Sequence, residues 1–165
     1  MAYAQQAQNV STMTTLDHNG WLPLHHALHN HALLGSIKLL VKGNPSAIQI
    51  SDNQLLFPFH IACEFSTADI IQFLVELDGV SLNMCHVNND SSLHCACRGG
   101  NCKVVKYLLA IQASPVSKRN GNNKLPIHLL WECEEDKVER ESPDYTETIW
   151  RLMLANPEET LLNYD

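Results

Sequence analysis

The strongest constraint on this chain is a period. LPLHHAL at 22–28 recurs as FPFHIAC at 57–63, SSLHCAC at 91–97 and LPIHLLW at 125–131. The shared histidines His25, His60, His94 and His128 lie 35, 34 and 34 residues apart. Repetition at this spacing means one supersecondary unit used four times. A unit this short cannot bury its own apolar face, so the copies have to stack.

Each copy follows the same local grammar. Pro23, Pro58 and Pro126 stand where a helix opens, because the fixed φ of proline suits the first turn and its missing N–H costs nothing there. The pattern predicts a short first helix, at 58–65 in the second copy and 92–99 in the third. A second, apolar helix follows at 68–77 and 101–110, where Ile70, Ile71 and Leu74, then Val104, Val105 and Leu108, fall at helical spacing. A polar loop leads on to the next copy.

This grammar resembles the ankyrin repeat, D-x-x-G-x-T-P-L-H-x-A-A followed by a second helix, over about residues 17–156. Asp17 and Asp52 match the opening aspartate. Gly20 matches the glycine, and Asn89 and Asn123 stand in its place with side chains that tolerate the left-handed turn. Leu55 occupies that position in the second copy, an exception expected to loosen the turn. Ala27, Ala62 and Ala96 match the alanine after His-x, which becomes Leu130 in the fourth. The capping threonine is replaced by Leu22, Phe57 and Leu125, leaving a hydroxyl only at Ser91, so three helices are expected to lose a cap worth about 1 kcal/mol.

The resemblance implies an all-α solenoid of helix-turn-helix units with short β-turn or hairpin fingers. It divides the chain into an N-terminal extension at 1–16 and a repeat domain at 17–165. The repeats fall at about 17–51, 52–85, 86–119 and 120–165, the last interrupted between its helices by an acidic insertion at 132–144. It also implies that His25, His60, His94 and His128 are structural, bonding backbone and loop groups. Partners in such a family meet a concave face built from finger tips and first helices. Carried over, the contact positions are Trp21, His29, Asn53, Gln54, Leu56, Glu64, Phe65, Asn88, Asp90, Arg98 and Lys124. The function implied is that of a non-catalytic protein-binding scaffold.

Other readings were weighed on the residues. His25 and His29, four apart on one helix face, suit a metal ion and would suggest a metal-dependent hydrolase. Alignment by period dissolves that cluster: His26, His29 and His31 belong to three further columns, and no other copy repeats a ligand set. No phosphate loop, dinucleotide fingerprint or nucleophile elbow is present, so neither a catalytic residue nor a metal or other cofactor is expected. The six cysteines lack any C-x-x-C pair and read as buried thiols, Cys63 and Cys97 sharing a core column with Leu28 and Trp131.

Charge is polarised along the chain. Residues 132–165 carry a net −8 against +1 before them, within the −7 of the whole. Between Asp90 and Glu132 every charged residue is basic: Arg98, Lys103, Lys106, Lys118, Arg119 and Lys124. This stretch invites an acidic patch on a protein partner, or weak charge-driven self-association in an otherwise monomeric protein. With few aromatics to stack bases, it does not suggest nucleic acid. No apolar run is long enough to span a bilayer and the first residues lack secretory-signal character, so an intracellular protein, cytoplasmic or nuclear, is expected. ANPEETLL at 155–162 echoes GNPSAIQI at 43–50, the loop that leads into the second copy. A spacer within a longer array is therefore an alternative to a free-standing adaptor.

Overall fold

The computed structural model describes residues 14–77, 82, 85, 88–111, 116–133 and 140–157. Most of the extension at 1–16, the centre of the insertion at 134–139 and the last residues of the loop echo lie outside that set. Among the described residues there are eight α-helices and no strand. They pair as α1 (Pro23–His29) with α2 (Leu34–Gly43), α3 (Pro58–Phe65) with α4 (Ala68–Leu77), α5 (Ser92–Arg98) with α6 (Cys102–Ala110), and α7 (Pro126–Glu132) with α8 (Pro143–Ala155). A 3₁₀ turn at Pro45–Gln49 carries the chain from the first pair to the second.

First helices stack on first helices, α1 on α3 on α5 on α7, and second helices likewise, α2 on α4 on α6 on α8. One apolar core runs through all four pairs, from Leu24, Leu28 and Ile37 to Leu130 and Leu152. The helix-spaced residues predicted from the sequence, Ile70, Ile71, Leu74, Val104, Val105 and Leu108, are all buried. The column Leu28, Cys63 and Cys97 is fully buried, and burial pushes the Cys63 and Cys97 thiols well up, which keeps them protonated and unreactive.

In units 1, 2 and 4 the finger before the first helix has its turn set by one side chain. Asp17 Oδ1 accepts from the N–H groups of Asn19 and Trp21 at 2.9 and 2.8 Å. Asp52 Oδ1 accepts from Gln54 and Leu56, both at 2.8 Å. Asn120, eight residues before His128, does the same for Asn122 and Lys124 at 3.0 and 2.9 Å. Such Asx bonds replace the backbone partners a turn lacks. Gly20, Asn89 and Asn123 all adopt positive φ.

Leu55 corrects the expectation drawn for it. It takes φ 60°, and its N–H donates to the Asp52 carbonyl at 3.1 Å, so the second turn is as tight as the others. Asp52 enforces the turn on a residue that resists it.

Capping departs from expectation as well. Leu22, Phe57 and Leu125 offer no side-chain cap, and neither does Ser91, whose hydroxyl pairs with His94 Nδ1 at 2.8 Å instead. The repeat histidine, third residue of each helix, supplies half of a capping box. His25, His60, His94 and His128 Nδ1 accept the N–H of Leu22, Phe57, Ser91 and Leu125 at 3.1, 3.3, 3.2 and 3.0 Å. The proton therefore sits on Nε2, which at His25 and His94 faces the following unit. His94 Nε2 donates to the Lys124 carbonyl at 3.1 Å. At His25 the corresponding neighbour is the Leu56 carbonyl, which acts on the ring without a well-formed bond. Burial lowers the pKa of His25, His94 and His128, holding the imidazoles neutral.

Candidate functional site

The fingers and first helices together present one face, and the residues singled out from the sequence lie along it. They divide into two chemically distinct halves.

The first half spans units 1 and 2 and is aromatic. Trp21, half-buried at the end of its finger, packs its indole 5.0 Å from the His26 ring and 5.4 Å from that of His29. His29 lies 4.5 Å from Phe65 on α3, and His31 approaches Phe65 from the other side at 6.2 Å. Trp21 Nε1 donates to Asp52 Oδ2 at 2.9 Å, which fixes the indole against the neighbouring finger. A groove of about 250 Å³ opens here between Asn19, Trp21, Asp52, Asn53, Gln54 and Leu56. Asn53 and Gln54 are exposed at its rim and Leu56 is half-buried. A second hollow of about 270 Å³, more apolar, is lined by His31, Glu64, Phe65 and Gly99.

Its floor depends on a glycine. A Cβ on Gly99 would stand 2.2 Å from the Glu64 carbonyl oxygen, so α5 can approach α3 this closely only with hydrogen at that position.

The second half spans units 2 to 4 and is charged, but its charges pair with one another. Arg98 Nε donates to Glu64 Oε2 at 3.2 Å, and its Nη1 donates to Asp90 Oδ2. Asp90, carried over as a surface position, has no exposed area; its other oxygen accepts from Asn120 Nδ2 at 2.6 Å. Lys124 Nζ pairs with Glu132 at 2.6 Å. Asn88 is half-buried, and its carbonyl accepts from the Gly121 N–H at 2.7 Å.

Most of the rest of the basic stretch is engaged too. Lys106 holds Asp144 and Glu147 at 2.6 and 3.1 Å, which raises its own pKa and lowers both of theirs. Lys118 donates to Cys85 Sγ and Arg119 to the Asn123 carbonyl. Of the six basic residues, only Lys103 makes no hydrogen bond or close ion pair among the described residues, though its charge still acts on Asp144.

The four opening histidines do not converge on a point. His25 is buried with Nδ1 committed to the Leu22 N–H, His26 bonds Asp17 at 3.0 Å, His29 lies between two aromatic rings, and His31 bonds the Phe65 carbonyl at 2.5 Å. Among the described residues no three histidine, cysteine or carboxylate side chains come together as metal donors. No described helix is long and apolar enough to cross a membrane.

Sequence reasoning missed Asn120, which was findable, since its eight-residue spacing from His128 repeats that of Asp17 and Asp52 from their histidines. Gly99 was expected beside Arg98 as a contact position, but nothing in the sequence signalled its close approach to Glu64.

These features define a class: stacked helix pairs joined by finger turns, with a histidine bridging each finger to its helix. A family model of ankyrin repeats in three copies matches residues 28–119, and the chain belongs to the ankyrin-repeat family. A probable serine/threonine-protein kinase of Dictyostelium discoideum is 26% identical over 111 residues, covering 64% of this chain and 13% of the kinase. The transient receptor potential cation channel subfamily A member 1 of Drosophila melanogaster is 29% identical over 119 residues, 68% of this chain and 10% of the channel. The chain thus spans only about a tenth of either relative's length.

Proposed function

We propose that this chain is a non-catalytic protein-binding module, and that its partner is anchored on the aromatic half of the finger face. Ankyrin repeats are in general protein-interaction modules, and the family is shown by the matching model. The observation that carries the finer reading is the contrast between the two halves. Arg98 and Lys124 already hold internal acids, so docking an acidic partner there would first require breaking those pairs. Trp21 and Phe65 instead offer half-buried rings, with the exposed ring of His29 between them, beside a groove rimmed by the amide side chains of Asn53, whose Nδ2 donates to the His18 carbonyl at 3.2 Å, and of Gln54. Buried aromatic anchors rimmed by hydrogen-bonding groups are the usual energetic centre of a protein interface. Glu64 and Leu56 border this anchor, whereas Asn88, Asp90, Arg98 and Lys124 act mainly by holding the units in register.

The four-unit division at 17–51, 52–85, 86–119 and 120–165 is part of the same proposal, as is an intracellular setting for a protein of this type. The test is affinity capture with cross-linking from cells expressing the chain. Phe65→Ala and Leu56→Ala should lower recovery of the captured partner at least tenfold while the circular dichroism spectrum is retained. Lys103→Ala should leave it unchanged. Capture that survives Phe65→Ala but is lost with Lys103→Ala would move the anchor to the basic half.

A further inference from the structure

The hollow beside Phe65 has a lopsided inventory of polar groups: its walls hold unused acceptors, and their donors are spent. Those walls are Glu64 and Phe65 at the end of α3, His31 in the turn after α1, and Gly99 at the C-cap of α5. The His31 N–H donates to the Leu28 carbonyl at 3.4 Å and the Gly99 N–H to the Cys95 carbonyl at 3.0 Å. The N–H groups of Glu64 and Phe65 belong to the ladder of α3.

Two acceptors remain. His31 Nδ1 bonds the Phe65 carbonyl at 2.5 Å, so in the neutral ring Nδ1 carries the proton and Nε2 keeps a lone pair. Glu64 Oε2 accepts from Arg98 Nε at 3.2 Å. Neither His31 Nε2 nor Glu64 Oε1 makes a hydrogen bond among the described residues.

Charge runs the same way. Glu64 and Asp90 share the single guanidinium of Arg98, so the cluster keeps one negative charge. Asp90 has no exposed area, which leaves Glu64 as the carboxylate that a guest in the hollow would meet.

These features sort the side chains a partner could insert. An apolar side chain would cover both acceptors without replacing their water, and an acidic one would face Glu64. A basic side chain satisfies all three demands. Its aliphatic stem packs on apolar walls, its cationic head supplies donors, and the Phe65 ring attracts the positive charge. Arginine suits best, because a planar guanidinium can stack on a ring while its N–H groups reach acceptors at the edge. We infer that this hollow is a subsite for a basic side chain of the protein partner, arginine above all. The inference rests on the reading that the partner is anchored on the aromatic half.

The test uses the N-acetyl amides of arginine, citrulline and norleucine, titrated into the isotopically labelled full chain and followed by nuclear magnetic resonance. The arginine amide should shift the backbone amide signals of His31 and Gly99 saturably. Citrulline amide, of similar shape without the charge, and norleucine amide should bind at least about fivefold more weakly, the effect of one partly exposed charge-assisted pair. Glu64→Gln should erase the preference for arginine over citrulline. Phe65→Leu leaves the Arg98 pair in place; it should weaken the arginine amide and spare the norleucine amide. No response to the arginine amide up to its solubility, or equal affinity for the arginine and norleucine amides, would overturn the inference. If Phe65→Ala still lowered capture of the partner, the anchor on the aromatic half would survive that failure. Capture indifferent to Phe65→Ala would instead remove the anchor, and with it the partner's claim on the hollow.

Discussion

Replacing Arg98 tests whether the charged half of the face is a binding surface or a clamp between units. Arg98 is about a third exposed and joins Glu64 of unit 2 to Asp90 of unit 3. Asp90 has no exposed area, and its other oxygen accepts from Asn120 Nδ2 at 2.6 Å. Arg98→Met retains the aliphatic stem and removes the charge. Breaking a fully buried pair costs about 3–5 kcal/mol, because the surviving charge stays buried without compensation. The partial exposure of Arg98 and the remaining Asn120 donor reduce this to roughly 2–3 kcal/mol. At this chain length that corresponds to a fall in Tm of about 4–12 °C. Adding Asp90→Asn removes the stranded charge while keeping its shape, so the double variant should regain at least about 1 kcal/mol over Arg98→Met. Urea titrations followed by circular dichroism at neutral pH give both differences. A single-variant loss below about 0.5 kcal/mol, or a double variant no more stable than Arg98→Met, would refute the assignment of Arg98 as a clamp.

Gly99→Ala drives a Cβ to within 2.2 Å of a backbone oxygen; the units must separate, and a loss of about 2–3 kcal/mol is expected by urea titration. Leu55→Gly should stabilise the chain by roughly 0.5–1 kcal/mol, since the leucine is 54% exposed and holds φ 60°, so little packing is lost when the strain is released. A lower Tm for this variant would mean that Leu55 packs more than it strains. Stability should also decline with acid earlier than carboxylates alone dictate. The folded pKa values of His25, His94 and His128 are lowered by burial, so the unfolded chain takes up protons first. Their contribution is whole above the unfolded value of about 6.5 and is lost as pH falls through the lower folded values. His94→Gln, which can still reach the helix-opening N–H, should flatten the decline measured between pH 7 and 5.

How much of this the sequence reveals depends on whether a feature repeats. The period, the prolines that open α1, α3 and α7, and the buried column through Cys63 and Cys97 are all readable, because each position is checked against three others. A repeated histidine is legible as structural, but not the reason for it. That reason lies in Nδ1 serving its own unit while Nε2 serves the next, as at His94. Features fixed by one local contest are illegible. Leu55 looks like a broken turn until Asp52 is seen holding both N–H groups around it. Gly99 looks like an ordinary helix-end glycine until its approach to Glu64 is measured.

The basic stretch fails as a sequence signal for a more general reason. Read along the chain, Arg98 stands among lysines and seems to build a positive patch. In a solenoid of this period, however, a residue's lateral neighbours lie about 34 positions away, so the relevant company of Arg98 is Glu64 before it and Glu132 after it. Column 64–98–132 alternates in sign, and Arg98 closes on Glu64 while Glu132 takes Lys124. A run of like charge in one repeat is therefore neutralised by its neighbours whenever the columns alternate. Surface electrostatics in such a fold has to be summed down columns. Summed in that way, the face is close to neutral through its middle. The aromatic stretch from Trp21 to Phe65 is then what distinguishes it, and that is the reason to seek the partner there.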